Sequence, residues 1–414
     1  MTRPRSVAEE RLDHLAPEDL AATRSRRNVD TRDPTAESTE SPSPDAERFT
    51  RLAAALKDVE RRTKARIGEA DVRRVKRLEM FSHTMCAVGR VLIAVSPEPF
   101  SFMAGVFALF LHKQLQAIEI GHTALHGAYD GLPGAERYRS KTYQWQVPID
   151  EESWRYGHNV RHHGNTGVAG KDADIHFGPV RLTEQTKWNR GHRRQLAYTC
   201  FALFPNFAFT MNLHFTGVSD AYLGKGLSGT LDFLPDRSPE SVRGAWRKAL
   251  RKYVPYYATE YILFPLLSGP FFWKVLLGNW MSETMRDVYS AATIFCGHVG
   301  PDVANFPKGS RPAGKGEWCA RQMEASQNFE VPLPLSILCG GLDRQIEHHL
   351  FPRFSSHRLR EIAPEVRAIA EAHGVRYATG TWPYVLGRAF AWIRQLSKDH
   401  GAVGGARAAM ATMT

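Results

Sequence analysis

The chain has 414 residues, with 54 Lys and Arg against 43 Asp and Glu and a formal net charge of +11. That length allows two or three ordinary domains, or one membrane-embedded unit with extensions. The basic balance favours an anionic partner; no base-reading or stacking-aromatic motif accompanies it, so nucleic acid is set aside in favour of an anionic membrane leaflet.

Residues 1–47 are rich in Arg, Asp, Glu, Ser, Thr and Pro, with a low-complexity stretch from Thr35 to Asp45, and read as a disordered or loosely helical polar arm. The first 40 residues hold no apolar run, so no secretory signal is expected there. From Phe49 a helical period appears, with Phe49, Leu52, Leu56 and Val59 on one face. Arg61, Arg62, Lys64, Arg66, Arg73, Arg74, Lys76 and Arg77 follow, so residues 48–80 are expected to form basic amphipathic helices on the cytoplasmic side.

Apolar segments come next. Met85–Ser96 and Phe100–Gly121 read as a helical hairpin broken at Ser96-Pro97-Glu98-Pro99. Ala197–Phe215 is a further apolar run. Tyr256–Trp273 and Trp280–Cys296 read as a second hairpin, joined through Lys274–Asn279. A span needs about 20 predominantly apolar residues, and several of these segments are short. The mean hydropathy of −0.36 reflects the large polar extensions.

Three histidine clusters punctuate these segments. His122 and His126 form H-x-x-x-H, His158, His162 and His163 form H-x-x-x-H-H, and His348 and His349 follow Gln345 in Gln-Ile-Glu-His-His. Neutral imidazole is the usual nitrogen ligand of iron, zinc and copper, and seven exceed one four-coordinate zinc, so the pattern predicts a two-metal site at a membrane surface. With 17 His in 414 residues, about 0.7 doublets are expected by chance, so the weight rests on the fused pair and doublet at 158–163 and on placement after apolar segments. Residues at i and i+4 share a helix face and are close enough to bind one metal, as His122 and His126 are expected to be, and likewise His158 and His162. His163, rotated by about 100°, would face a second. His298 ends the run Ala291–Gly297 and is either an interfacial side chain or an eighth imidazole ligand. Gln345 is either a polar side chain facing solvent or a ligand or hydrogen-bond partner. Glu119, Asp130, Asp172, Asp174 and Glu347 lie near the clusters and are candidates to receive the other imidazole N–H. The single Glu-x-x-His, Glu119 to His122, argues against a ferritin-like carboxylate site.

Parity fixes the expected topology. Ligands of one centre lie on one membrane face, and the first two clusters are separated from the third by three apolar segments. An even number of these must cross. The basic stretch Lys225–Lys252 places that loop in the cytoplasm, leaves Ala197–Phe215 interfacial or re-entrant, and gives four crossings with the termini and all clusters cytoplasmic. After the third cluster, Leu359, Ile362, Val366 and Ile369 recur at helical spacing, with Ser355 or Ser356 as cap and Gly374 as stop. A last amphipathic segment, Pro383–Lys398, carries Leu386, Phe390, Ile393 and Leu396 on one face, suited to the membrane surface or to packing on the soluble part. Cys86, Cys200, Cys296, Cys319 and Cys339 form no C-x-x-C pair and read as buried thiols of a reducing compartment.

Residues 50–375 resemble the membrane fatty acid desaturase superfamily, and bacterial acyl-CoA or acyl-lipid desaturases in particular. Glu-Ile-Gly-His-Thr-Ala-Leu-His-Gly (119–127), Trp-Arg-Tyr-Gly-His-Asn-Val-Arg-His-His (154–163) and Gln-Ile-Glu-His-His-Leu-Phe-Pro (345–352) are similar to its three boxes, and Ile-Phe-Cys-Gly-His (294–298) to the place of an extra ligand. The resemblance implies an all-α membrane protein: about four transmembrane helices in two hairpins plus interfacial helices, capped by a cytoplasmic helical di-iron domain. On this view residues 81–375 are the desaturase domain and 376–414 a C-terminal amphipathic helix and tail. It further implies two non-haem irons held by His122, His126, His158, His162, His163, His298, His348 and His349, with Gln345 at or near a ligand position. Oxygen and two electrons would then convert an acyl chain, carried on coenzyme A, a lipid or a carrier protein, to an alkene. An apolar tunnel, with Phe102, Phe107 and Phe110 as candidate linings, would hold the chain. The haem-domain signature His-Pro-Gly-Gly is absent, so a separate ferredoxin or NAD(P)H-linked reductase is expected as donor. A hydroxylase or ketolase on the same scaffold is the nearest alternative. A histidine-rich metal transporter is a more distant one, with Glu283, Arg286 and Asp287, placed near the outer end of a span, as its possible path.

Overall fold

The computed structural model describes residues 44–175, 178–222 and 232–398. The expected polar arm falls mostly outside them, as do the tail beyond residue 398 and the start of the basic loop, 225–231. All regular elements among the described residues are helical; there is no β-strand among them, only the isolated bridges Val168–Phe306 and Glu330–Thr381.

Helix α1, Pro44–Lys64, starts inside the expected arm and buries Leu52, Leu56 and Val59. After a break at residues 65–68, α2 runs from Glu69 to Val95 without interruption. The basic residues 69–80 are therefore not a separate cytoplasmic helix. They are the first turns of the helix that carries the first apolar segment, because no breaker lies between Glu69 and Val95. At its start the Asp71 carboxylate accepts the Gly68 N–H at 3.1 Å. Helix α3, Pro99–Gln114, returns antiparallel after the expected break, with the Glu98 side chain accepting the Ser101 N–H at 2.7 Å. The α2 and α3 backbones meet at Gly89 and Gly105, where a Cβ would lie 2.7 Å from Leu109 N and 2.8 Å from Ile93 N, respectively. Only glycine permits that approach.

The second hairpin is formed by α4, Pro239–Ala258, which continues through a π segment, Thr259–Leu263, and a short helix, Phe264–Leu267, and by α5, Phe272–His298. Its turn lies at residues 268–271, not at the expected Lys274–Asn279. Gly269 takes φ +55° beside Pro270, while Lys274 and Asn279 are inside α5. Lys274 Nζ donates to Ala94 O at 3.4 Å and to Ser96 O, so both hairpin turns lie at the same end. The ends of the helices bearing His122 and His298 lie at the other.

Shifting the turn also moves Glu283, Arg286 and Asp287 from the expected outer end to the middle of α5. There they are buried and ion-paired. Lys113 Nζ lies 2.9 Å from Glu260 and 3.1 Å from Glu283, Arg90 is 2.6 Å from Glu260, and Arg286 is 2.9 Å from Glu283 and 2.8 Å from Asp287. The path required by the transporter reading is thus a closed, charge-balanced network tying α2, α3, α4 and α5 together.

By length and composition, α2 is the one described helix suited to crossing a membrane. The expected four crossings are not visible in that property, because α3 has only 16 residues before a π segment and α5 carries the buried charges. Ala197–Phe215, expected to be interfacial, is a broken helix. It passes from Gln195–Tyr198 through a π and a 3-10 turn containing Pro205 into Phe207–Phe215, and Phe204 packs on Phe295 at 5.0 Å.

Further helices cap the bundle, among them α6 (Lys315–Glu324), α7 (Gln345–Leu350), α8 (Ser356–Ala372) and α9 (Trp382–Leu396). In α8, Leu359, Ile362 and Val366 are buried as the period predicts, and Gly374 follows at φ +62°. The amphipathic α9 packs on the protein: Ile393 and Leu396 are fully buried, and Leu396 O accepts from Arg181. All five cysteines are free.

Candidate metal centre

The first histidine pair sits where α3 runs on as a π segment, Leu115–His122, and reverts to an α-turn. The His126 N–H bonds to His122 O at 3.1 Å, and the two Nε2 atoms lie 3.2 Å apart. The i,i+4 expectation holds here.

At the second cluster it does not. A short helix, Glu151–Trp154, is started by Asp150, which accepts the Ser153 N–H at 3.0 Å, and passes into a π segment, Arg155–His162. The His163 N–H bonds to His158 O, five residues back, at 3.0 Å. The wider turn places His158 and His163 side by side, Nε2 to Nε2 at 3.2 Å. His158 and His162 stack at 5.1 Å and share one group with Asp174, while their imidazole partners differ: His158 joins His122, His126 and His348, and His162 joins His298 and His349. The i,i+4 pairing of His158 and His162 is thus kept only through Asp174, and His163, expected to face a second metal, lies 3.2 Å from His158.

The third cluster is aimed by Gly340 and Gly341, at φ +62° and +81°, which turn the chain so that α7 points both His348 and His349 inward. His298, the last residue of α5, meets them: its Nε2 is 3.1 Å from His349 Nε2 and 2.7 Å from Gln345 Nε2, and Gln345 Nε2 is 3.3 Å from His349. Of the two readings of each residue, the structure favours the one inside the site.

Ligand atoms of His122, His126, His158 and His348 converge within 4.8 Å of one another, and so do those of His162, His298 and His349. His163 bridges the two sets, with its ring stacked on His349 at 4.4 Å. Two nitrogens bound at right angles to one ion at about 2.1 Å lie about 3.0 Å apart, close to the 3.1–3.3 Å observed. The Nε2 atoms of His162 and His348 and Oε1 of Gln345 are buried without a protein partner, the state expected of donors reserved for cations. Burial holds His122 down to about 3 and drives His126, His158, His163, His348 and His349 well below the usual imidazole value. Neutral rings with free lone pairs are what a metal requires.

His162 is the exception. Burial pulls it down, but Asp172 and Asp174 outweigh burial and raise it to about 9. Its Nδ1 donates to Asp172 at 2.9 Å, and Asp174 lies 3.3 Å from His158 Nδ1. These two carboxylates fix the tautomers, with Nε2 directed inward. Of the other carboxylates near the clusters, Glu119 faces Arg360 at 3.8 Å, Asp130 binds Ser140, and Glu347 binds Asn328 and Tyr377. Three supporting residues escaped the sequence reading. Gln322 Oε1 and Thr166 Oγ1 each lie 3.1 Å from His349 Nδ1, and Trp154 stacks on His158 at 4.5 Å. Trp154, four residues before His158, carried a legible signal; Gln322, on a remote helix, did not.

An apolar cavity opens from the imidazoles. Trp145, Val147, Ile149, Trp154, Phe207 and Met211 line it, as do Ile294, Ser290, Asp287 and Arg286 of α5, and His122, His158, His298 and Gln345 line its metal-site end. None of Phe102, Phe107 and Phe110 lines it. Phe107 is half exposed, and Phe110 packs on Phe107 and Tyr289. Much of the lining comes instead from the segment between the first two clusters, whose aromatics have no helical period to mark them.

The family model for fatty acid desaturase matches residues 99–381. The chain is 31% identical over 353 residues to an NADPH-dependent stearoyl-CoA 9-desaturase of Mycobacterium tuberculosis, covering 84% of this chain and 79% of that one. It is 24% identical to an sn-1 linoleoyl-lipid 6-desaturase of Synechocystis, covering 72% and 80%. The chain belongs to the fatty acid desaturase family and is an oxidoreductase of that kind.

Proposed function

We propose that this desaturase holds two irons with His122, His126, His158, His162, His163, His298, His348, His349 and Gln345, and that it unsaturates a fatty acyl chain seated in the adjoining cavity. The observation that carries this reading is the convergence of eight imidazoles and one amide beside an apolar cavity. A bound iron pair would supply the O2-dependent, two-electron removal of two hydrogens from neighbouring methylenes. The chain's own residues do the rest. Asp172 and Asp174 hold the Nδ1 protons of His162 and His158 so that both Nε2 lone pairs face the centre. Trp145, Trp154, Phe207 and Met211 exclude water and fix the acyl chain beside the imidazoles. The relatives' names support an acyl substrate on coenzyme A or a lipid, and the NADPH in one of them suits a separate NAD(P)H-linked reductase or ferredoxin as electron source.

The membrane reading rests on the surface. Val91, Val95, Phe100, Ile262, Leu266 and Trp273 are exposed around the hairpin-turn end. Exposed Arg73, Arg77, Arg243 and Arg247 lie towards the histidine end. That distribution supports four crossings with the imidazoles on the cytoplasmic face. The test is expression with an NAD(P)H-linked donor chain, with iron analysis and product mass. About two irons per chain and a product lighter by two hydrogens are expected. A product heavier by one oxygen would make the chain a hydroxylase, and tightly bound zinc alone would refute the iron assignment.

A further inference from the structure

The acyl cavity ends on charge. The residue of α5 that lines it farthest from His298 is Arg286, with Asp287 beside it. Both are buried in an otherwise apolar channel: Arg286 is 1% exposed and Asp287 3%. They are not free to swing aside. Arg286 is paired to Glu283 and Asp287, Asp287 accepts the Ala208 N–H at 3.3 Å, and Glu283 is tied to Lys113 and Tyr256 at 3.1 and 2.8 Å. Three cations and three anions balance across four helices, so displacing one side chain leaves a buried charge unpaired.

We infer that the Arg286–Asp287 layer is a fixed stop for the methyl end of the substrate, making these two residues determinants of chain length. The inference rests on the desaturase reading of the cavity. An apolar floor yields to one more methylene by repacking; a charge-paired floor cannot yield without stripping ions of partners. The limit should therefore be abrupt. The eleven residues from Asp287 to His298 rise about 16 Å along the helix axis. Allowing a contact of about 4 Å at each end and an advance of about 1.2 Å per bond in an extended chain, roughly seven carbons fit between the imidazole end and the stop.

The test is a ligand series of saturated acyl-CoA thioesters, read by thermal stabilisation of the metal-free protein and, separately, by product analysis of the iron-loaded protein. Up to the limit, each added methylene should tighten binding about fourfold, and the next should reverse the trend. Arg286→Met with Asp287→Asn removes one charge of each sign, keeps an acceptor for Ala208, and should move the break to chains longer by about two carbons. Should that pair fail to fold, Ala208→Leu narrows the same end and should move it shorter by a similar amount. A binding series with no break, or one unmoved in both variants, overturns the inference. A clear break in a protein that makes no alkene from any chain would instead refute the desaturase reading and leave the length stop standing.

Discussion

Asp172→Asn is a nearly isosteric change that separates orientation from ligation. The buried Asp172 carboxylate accepts from His162 Nδ1 at 2.9 Å, from Gly167 N at 2.7 Å and from Asp174 N at 2.9 Å. The amide keeps the volume, but it loses the charge and turns an N–H toward a donor. A buried hydrogen bond to a charged partner is worth about 1.5–3 kcal/mol, in line with the 10–100-fold loss of metal affinity usual when such a support is removed. Proton competition works against this in a calculable direction. The pKa of His162, about 9, is raised above its unfolded value. In the metal-free protein its pairing therefore stabilises the fold fully below about pH 6.5, and that stability is lost as pH rises through about 9. A metal must expel that proton, at a cost at pH 7 on the order of 3 kcal/mol, so wild-type iron affinity should climb between pH 7 and pH 9. Anaerobic Fe(II) competition against a chelator at both pH values reads both effects. Asp172→Asn should bind 10–100-fold more weakly at pH 9 and show a shallower climb below it. Equal affinity at pH 9, or a wild-type affinity independent of pH, would refute the argument.

Three further outcomes are expected. Gln345→Leu removes the amide 2.7 Å from His298 and 3.3 Å from His349, and iron per chain should fall from about two towards one, read by metal analysis after gel filtration. Lys113→Met leaves the buried network with three anions against Arg90 and Arg286 and should cost about 3–5 kcal/mol in detergent unfolding, whereas adding Glu283→Gln restores charge balance and should recover most of it. Gly89→Val drives a Cβ into the Leu109 backbone at 2.7 Å and should lower stability by roughly 1–3 kcal/mol without altering the ligand set, read by thermal unfolding and iron content together.

Local pattern made much of the fold legible. The faces of α1 and α8, the break at residues 96–98 and the helical character of the chain follow from period, caps and proline, which act within a few residues. What escaped depends on remote contacts. The second hairpin turns at Gly269-Pro270 because the mid-helix Glu283 finds Lys113 on another helix, a pairing 170 residues apart in the chain. With its charges satisfied inside, a segment that reads as a polar connection plus a span is one continuous helix. The lining of the cavity escaped for the same reason: Trp145 and Ile149 lie in a segment without helical period, and their place is set by packing on the helices of the first two clusters.

The histidine boxes show why spacing alone can name a site and still misassign its members. Identity was legible because imidazole chemistry is local: each cluster brings several soft-lined donors within a turn. Pairing was not, because it depends on helix pitch. An α-helix places i and i+4 together, as at His122 and His126; one π turn places i and i+5 together, as at His158 and His163. The wider turn has a structural use here. It presents three histidines of one six-residue stretch to two sets at once, with His158 toward His122, His126 and His348, His162 toward His298 and His349, and His163 between them. An uninterrupted α-helix would turn His163 about 100° from His162 and away from His158, leaving the two sets without a shared ring. The π segment at Leu115–His122 ends at the first histidine in the same manner. Both interruptions sit at the rim of the cavity, where the backbone serves the geometry of the donors before its own regularity.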